Sequence, residues 1–139
     1  MGGINHFAVW VAGVAHFMLG AAWYTAFAQT WLAGIGKTEE QLHAAQGSSP
    51  LPLIIAVAVA VIIAYTLAVL IPKLGPQTAA NGIKIGVALA LALIGSTLAM
   101  NYGFESRPLS LWLINTGYMT VGMAITGAIV GGWKTKTRP

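Results

Sequence analysis

The chain has no cysteine, which excludes a disulfide framework, a thiolate zinc site and a cysteine-held iron–sulfur cluster. Charge is nearly as scarce, with seven basic and three acidic residues in 139. A water-soluble domain of this length needs roughly a quarter of its residues charged to stay dispersed. No acid lies inside the long apolar stretches, no nucleophile stands beside a base, and no glycine-rich phosphate loop or metal-ligand cluster can be read. These gaps argue against an enzyme and against a bound cofactor or metal.

What is present is apolar: 57% of the residues are hydrophobic. The ten charges gather in clusters, leaving residues 1–36, 85–104 and 108–133 free of acid or base other than histidine, and Leu51 to Ile71 forms a further apolar run. Each stretch reaches the ~20 residues that carry an α-helix across ~30 Å of hydrocarbon. Barrel strands would alternate polar and apolar positions, whereas Leu53 to Ile63 is apolar on every face. The expected fold is all-α, an integral membrane four-helix bundle forming one transmembrane domain over 1–139. Its spans run from about Asn5 to Ala28, Leu51 to Ile71, Gly82 to Tyr102 and Pro108 to Trp133. Every proline falls in a connection or at a helix edge on this reading. The first span is too long for a signal peptide and has no basic stretch before it, so an uncleaved helix is expected. Met1-Gly2 begins a myristoylation pattern, but His6 stands where that pattern needs Ser or Thr.

Four crossings put both termini and the 72–84 connection on one side. Lys73, Lys84, Lys134, Lys136 and Arg138 lie there, against Lys37 and Arg107 on the other side. Five basic residues against two make the termini cytoplasmic by the positive-inside rule and place the chain in the cell's inner membrane as a multi-pass protein. Thr38-Glu39-Glu40-Gln41 has capping-box spacing, so a short interfacial helix is expected between the first and second spans.

Polar side chains inside apolar spans are the best functional pointers, because lipid offers them no partner. Asn5, Ala12, His16 and Trp23 recur on one helical face with Gly13 and Gly20 beside them. His16 is then either a neutral packing residue bonded to a neighbouring helix or a proton acceptor and ligand contact. Asn115 and Tyr118 share a face of the fourth span. They lie at the same depth as Trp23, Tyr24 and Asn101, with Glu105 and Arg107 just above. These residues would line a small outward pocket with a charged mouth, or else serve as an interfacial belt and helix-contact residues. Gly127–Gly131 and Gly82–Gly86 fit close-packing spacing, and Ala60, Ala64 and Ala68 give the second span a small face; contacts within one chain and between chains are both open.

The chain resembles the domain of unknown function 1761 family of small bacterial and archaeal membrane proteins. The resemblance is carried by Ile4-Asn5, Leu19-Gly20-Ala21-Ala22-Trp23-Tyr24, Trp31 with Gly36 to Glu40, and Ile114-Asn115-Thr116-Gly117-Tyr118 through Gly127 to Trp133. It covers nearly the whole chain and implies the fold, with no catalytic residues to carry over. The expected function is a non-enzymatic bundle binding a small molecule, lipid or membrane partner through the outer polar pocket. Its partners would be the lipid bilayer, a second copy in a homo-oligomer, and a small-molecule ligand, with no nucleic acid. The alternatives are a small proton-coupled exporter acting as an oligomer, with His16 in place of the usual carboxylate, and a purely structural or assembly protein. Haem between two histidines is disfavoured, since His6 and His16 lie on different faces of one helix.

Overall fold

The computed structural model describes residues 3–135, and among these it is all helical, with no strand. Six helices follow one another: α1 (His6–Ala26), α2 (Ala28–Ile35), α3 (Glu39–Gln46), α4 (Leu51–Leu74), α5 (Ala79–Phe104) and α6 (Leu109–Gly132). Four of them, α1, α4, α5 and α6, are long and apolar enough to cross a membrane. Lys136 and Arg138 of the basic tail, and Met1-Gly2, lie outside the described residues.

Local chemistry sets the helix ends. Asn5 caps α1 by accepting from the Ala8 amide at 3.1 Å, answering one of the donors a helix start leaves open. The first span does not run unbroken to Ala28, because Phe27 leaves helical dihedrals at φ −104° and ψ 15°. Just before it the Thr25 hydroxyl donates to the Ala21 carbonyl at 2.7 Å, a back-bond that bends helices. The chain then resumes as α2, which ends at Gly36 in the left-handed region at φ 70°. The expected capping box of α3 is present: the Gln41 amide donates to Thr38 Oγ1 at 3.2 Å and the Thr38 amide to Gln41 Oε1 at 3.0 Å. Pro72 sits inside the last turn of α4 rather than in a connection, and that helix runs on to Leu74. Pro72 has no N–H to give the Ala68 carbonyl, so the helix loses one ladder bond close to its end.

α5 contains a π-helical segment, Ala90–Gly95, which periodicity did not foretell. The inward-facing line along this helix steps by four through Gly82, Gly86 and Ala90, then by five to Gly95, then on to Leu98 and Tyr102. The step of five is the wider π turn, and it rotates everything after it by about one residue. Trp112 of α6 donates from Nε1 to the Gly95 carbonyl at 2.8 Å. Trp112→Phe should therefore remove one helix-to-helix bond and lower stability by about 1 kcal/mol. Thermal unfolding in detergent, followed by circular dichroism, reads this directly, and an unchanged midpoint would mean the carbonyl finds another donor.

α6 occupies the centre and packs on α1, α4 and, most closely, α5. Gly82 and Gly86 of α5 meet the backbone of α6 at Gly127 and Met123, so the two main chains approach with no side chain between them. The two glycine pairs flagged by spacing thus serve contacts within one chain. Ala60 and Ala64 of the α4 small face are buried, and the core gathers Val9, Ala12, Ala64, Leu67, Ile71, Ala90, Met123 and Val130. Large apolar side chains also cover the outside, among them Ile54, Ile62, Leu93 and Leu113, as expected of helices whose solvent is lipid.

Both described chain ends meet at one pole. Asn5 Nδ2 donates to the Trp133 carbonyl at 3.4 Å, Thr135 Oγ1 bonds the Gly3 carbonyl, and Gln77 Nε2 reaches the Val130 carbonyl at 3.3 Å. At the opposite pole Arg107 Nη1 donates to the Gly34 carbonyl at 3.4 Å, tying the α5–α6 turn to α2.

Candidate functional site

α1 and α6 bring their polar faces together along half the length of the molecule. Deepest is His16, 1% exposed. Its Nδ1 lies 3.2 Å from Thr126 Oγ1, and that hydroxyl donates to the Gly122 carbonyl at 2.8 Å. With its hydrogen spent on Gly122, Thr126 accepts, so Nδ1 is the donor of this pair. Gly122 lets the imidazole lie against the backbone, since a Cβ there would stand 2.5 Å from Nε2. Tyr118 meets the same ring edge-on at 5.2 Å between centroids.

Two turns towards the α3 pole the pattern becomes a relay of side chains. Tyr24 Oη donates to Asn115 Oδ1 at 2.8 Å, and Asn115 Nδ2 donates to Tyr102 Oη at 2.7 Å. The Tyr24 and Tyr118 rings stand 5.2 Å apart, and Tyr24 touches Trp31 at 5.8 Å. Trp23 turns away from this group and donates to the Ile114 carbonyl at 3.0 Å, locking α1 to α6.

The relay forms the inner wall of a cleft of about 830 Å³. Trp31 and Leu32 of α2 and the Leu42 and His43 face of α3 close it from the pole, while Leu53 of α4 and Leu98 of α5 flank it. The cleft is mostly apolar, with hydroxyl and amide groups at its inner end and Glu39 and His43 at its rim; these two are 3.6 Å apart and strongly exposed, so their pairing holds little by itself. Bond accounting at the inner end leaves unused donors. Among the described residues Asn115 spends one of its two amide hydrogens, on Tyr102, and the Tyr102 hydroxyl only accepts, so each keeps a hydrogen. The Tyr118 hydroxyl makes no bond among the described residues.

Of the side chains singled out by sequence, Tyr24, Asn115 and Tyr118 line the cleft, while His16 and Trp23 sit beside it in the α1–α6 seam. Asn101 is exposed and outside the cleft; the π turn brings its neighbour Tyr102 inward instead. Glu105 and Arg107 do not form the mouth. Arg107 Nε donates to Glu105 Oε2 at 3.1 Å and the pair braces the α5–α6 turn against α2. The rim comes from α3, whose Glu39 and His43, four apart, were legible as one helix face once the capping box was read. Asn5 belongs to the other pole, where it caps α1. His6 is bonded to Tyr65 at 2.8 Å. Among the described residues no three His, Asp or Glu side chains converge in a metal-holding group.

No curated protein and no solved structure matches the chain significantly. Residues 7–131, nearly the whole chain, match the family model described as protein of unknown function DUF1761, and the chain belongs to that family.

Proposed function

We propose that this protein is a multi-pass four-helix bundle of the cell's inner membrane, with cytoplasmic termini, that holds an amphipathic small molecule or lipid in the cleft beneath α3 without converting it. The observation that carries the reading is the Tyr24–Asn115–Tyr102 relay, which ends in unspent donors at the inner end of an otherwise apolar cleft. A guest with an oxygen acceptor at one end and hydrocarbon along its body satisfies both halves of that lining. The charge bias across the two poles supports the orientation, which opens the cleft towards the outer leaflet. Helices α2 and α3 would then lie in the interface, with Trp31 in the headgroup zone. A homo-oligomer remains part of the proposal, since the apolar outer faces of α4 and α5 are free to meet a second copy as well as lipid.

Asn115→Leu is the direct variant. Leucine keeps the bulk, and both tyrosines stay in the wall of the cleft, so the fold should hold. Retention of the guest should fall about ten-fold, the size of one good hydrogen-bonding group. Mass spectrometry of organic extracts from equal amounts of purified protein reads it. A wild-type extract no different from empty detergent, or equal retention by the variant, would sink the proposal.

A second reading, a proton-coupled transporter, draws on one observation: a buried imidazole beside the cleft, with no partner at Nε2 among the described residues. It lacks an intramembrane carboxylate, since all three acids lie in α3 or the α5–α6 turn. Transport that survives His16→Leu would remove it.

A further inference from the structure

The pole carrying the chain ends has a recess of its own, of about 390 Å³, between the start of α1, the last turn of α4 and the connection into α5. Its lining divides in two. Asn5, Lys73 and Gln77 form a polar side, and Ile4, Ala68 and Val69 an apolar one. Both amides are only half engaged, through the 3.4 Å bond from Asn5 to the Trp133 carbonyl and the 3.3 Å bond from Gln77 to the Val130 carbonyl. Each retains a hydrogen for a guest.

Among the described residues, side-chain charge at this pole is of one sign. Glu39, Glu40 and Glu105 all belong to the opposite pole, whereas Lys73, Lys84 and Lys134 lie at this one. Among the described residues no acidic side chain on a neighbouring element answers the Lys73 ammonium. We infer that the recess is a headgroup site for an anionic phospholipid: Lys73 with the Asn5 and Gln77 amides takes the phosphate, and Ile4, Ala68 and Val69 take the first part of an acyl chain. A free phosphate would leave the apolar half wet and unused, and a zwitterionic headgroup would bring its own cation among the lysines. Phosphate oxygens also suit an ammonium flanked by amide donors, because all three partners donate. The inference rests on the membrane placement proposed above and is independent of the cleft at the other pole.

The test is native mass spectrometry of the full chain released from detergent carrying equal phosphatidylglycerol and phosphatidylcholine. Wild type should retain one phosphatidylglycerol in preference to phosphatidylcholine. Lys73→Gln should lower that retention about five-fold, whereas Lys84→Gln, a cation of the same pole outside the recess, should change it less than about two-fold. Val69→Trp, which fills the apolar half and leaves every charge in place, should also reduce it. Asn115→Leu should leave it unchanged, so the two sites fail separately. Equal losses from both lysine variants would reduce the effect to general attraction and overturn the site. So would equal retention of the two lipids, displacement of the lipid by millimolar inorganic phosphate, or full retention by Val69→Trp.

Discussion

Gly127→Val is expected to destabilise the protein by about 3 kcal/mol or more, at the upper end of overpacking effects. The reason is reciprocal geometry. A Cβ on Gly127 would run into the carbonyl of Gly82, and one on Gly82 into the carbonyl of Gly127, while a Cβ on Gly86 would strike the Met123 carbonyl. In each case the obstacle is main chain, which cannot rotate aside as a side-chain tip can. Relief requires α5 and α6 to separate along their whole contact, and in lipid that contact has no hydrophobic term to fall back on, only packing. Gly103→Val is the control, because nothing lies within 4 Å of a Cβ there; its effect should stay within about 0.5 kcal/mol. Reversible unfolding in mixed micelles by increasing denaturing detergent compares the two. Equal stability of the Gly127 variant and wild type would mean that α5 and α6 do not cross through these glycines.

The second large effect lies at His16. His16→Ala removes a fully enclosed ring and should cost about 2–4 kcal/mol through the cavity it leaves. His16→Leu should cost far less, about 1 kcal/mol, since Thr126 keeps its bond to the Gly122 carbonyl and loses only an incoming donor. Gly122→Ala presses a methyl group onto the imidazole and should cost about 2 kcal/mol by forcing the ring away from Thr126 and Tyr118. The two sites must then couple: in Gly122→Ala/His16→Ala the new methyl enters the vacated space, and the double variant should be more stable than the sum of the singles by at least about 1 kcal/mol. The same unfolding assay gives all four corners of the cycle. Strict additivity would contradict the contact.

Much of this was legible in the sequence, for definite physical reasons. Charge gaps of about 20 residues announce spans because lipid tolerates no unpaired charge, and the four long helices fall where the gaps do. The α3 capping box is a local signal and was read locally. Asn115 and Tyr118 were paired by helical spacing, and Tyr24 joined them by its depth in the first span. What escaped depends on partners distant in sequence. The Phe27 break contains neither proline nor glycine, so nothing punctuates it. The π turn at Ala90–Gly95 lies in a segment of interchangeable alanines and leucines, and without it the inward line would step from Ala90 through Ile94 and Thr97 to Asn101. That one added residue is why Tyr102, rather than Asn101, completes the relay. Glu105 and Arg107 looked like a mouth because they flank the last two spans. Their bond to one another, and that of Arg107 to the Gly34 carbonyl, are tertiary choices that spacing cannot reveal.

The most direct test of the central claim is a crystal structure grown from a lipidic mesophase, inspected between α3 and the Tyr24–Asn115–Tyr102 relay. The account predicts continuous elongated density in the cleft, with an acceptor atom within about 3 Å of Asn115 Nδ2 or Tyr102 Oη. A cleft closed by α3 settling onto Leu53 and Tyr102, dry and without density, would contradict it and leave the relay as a helix-to-helix bond alone.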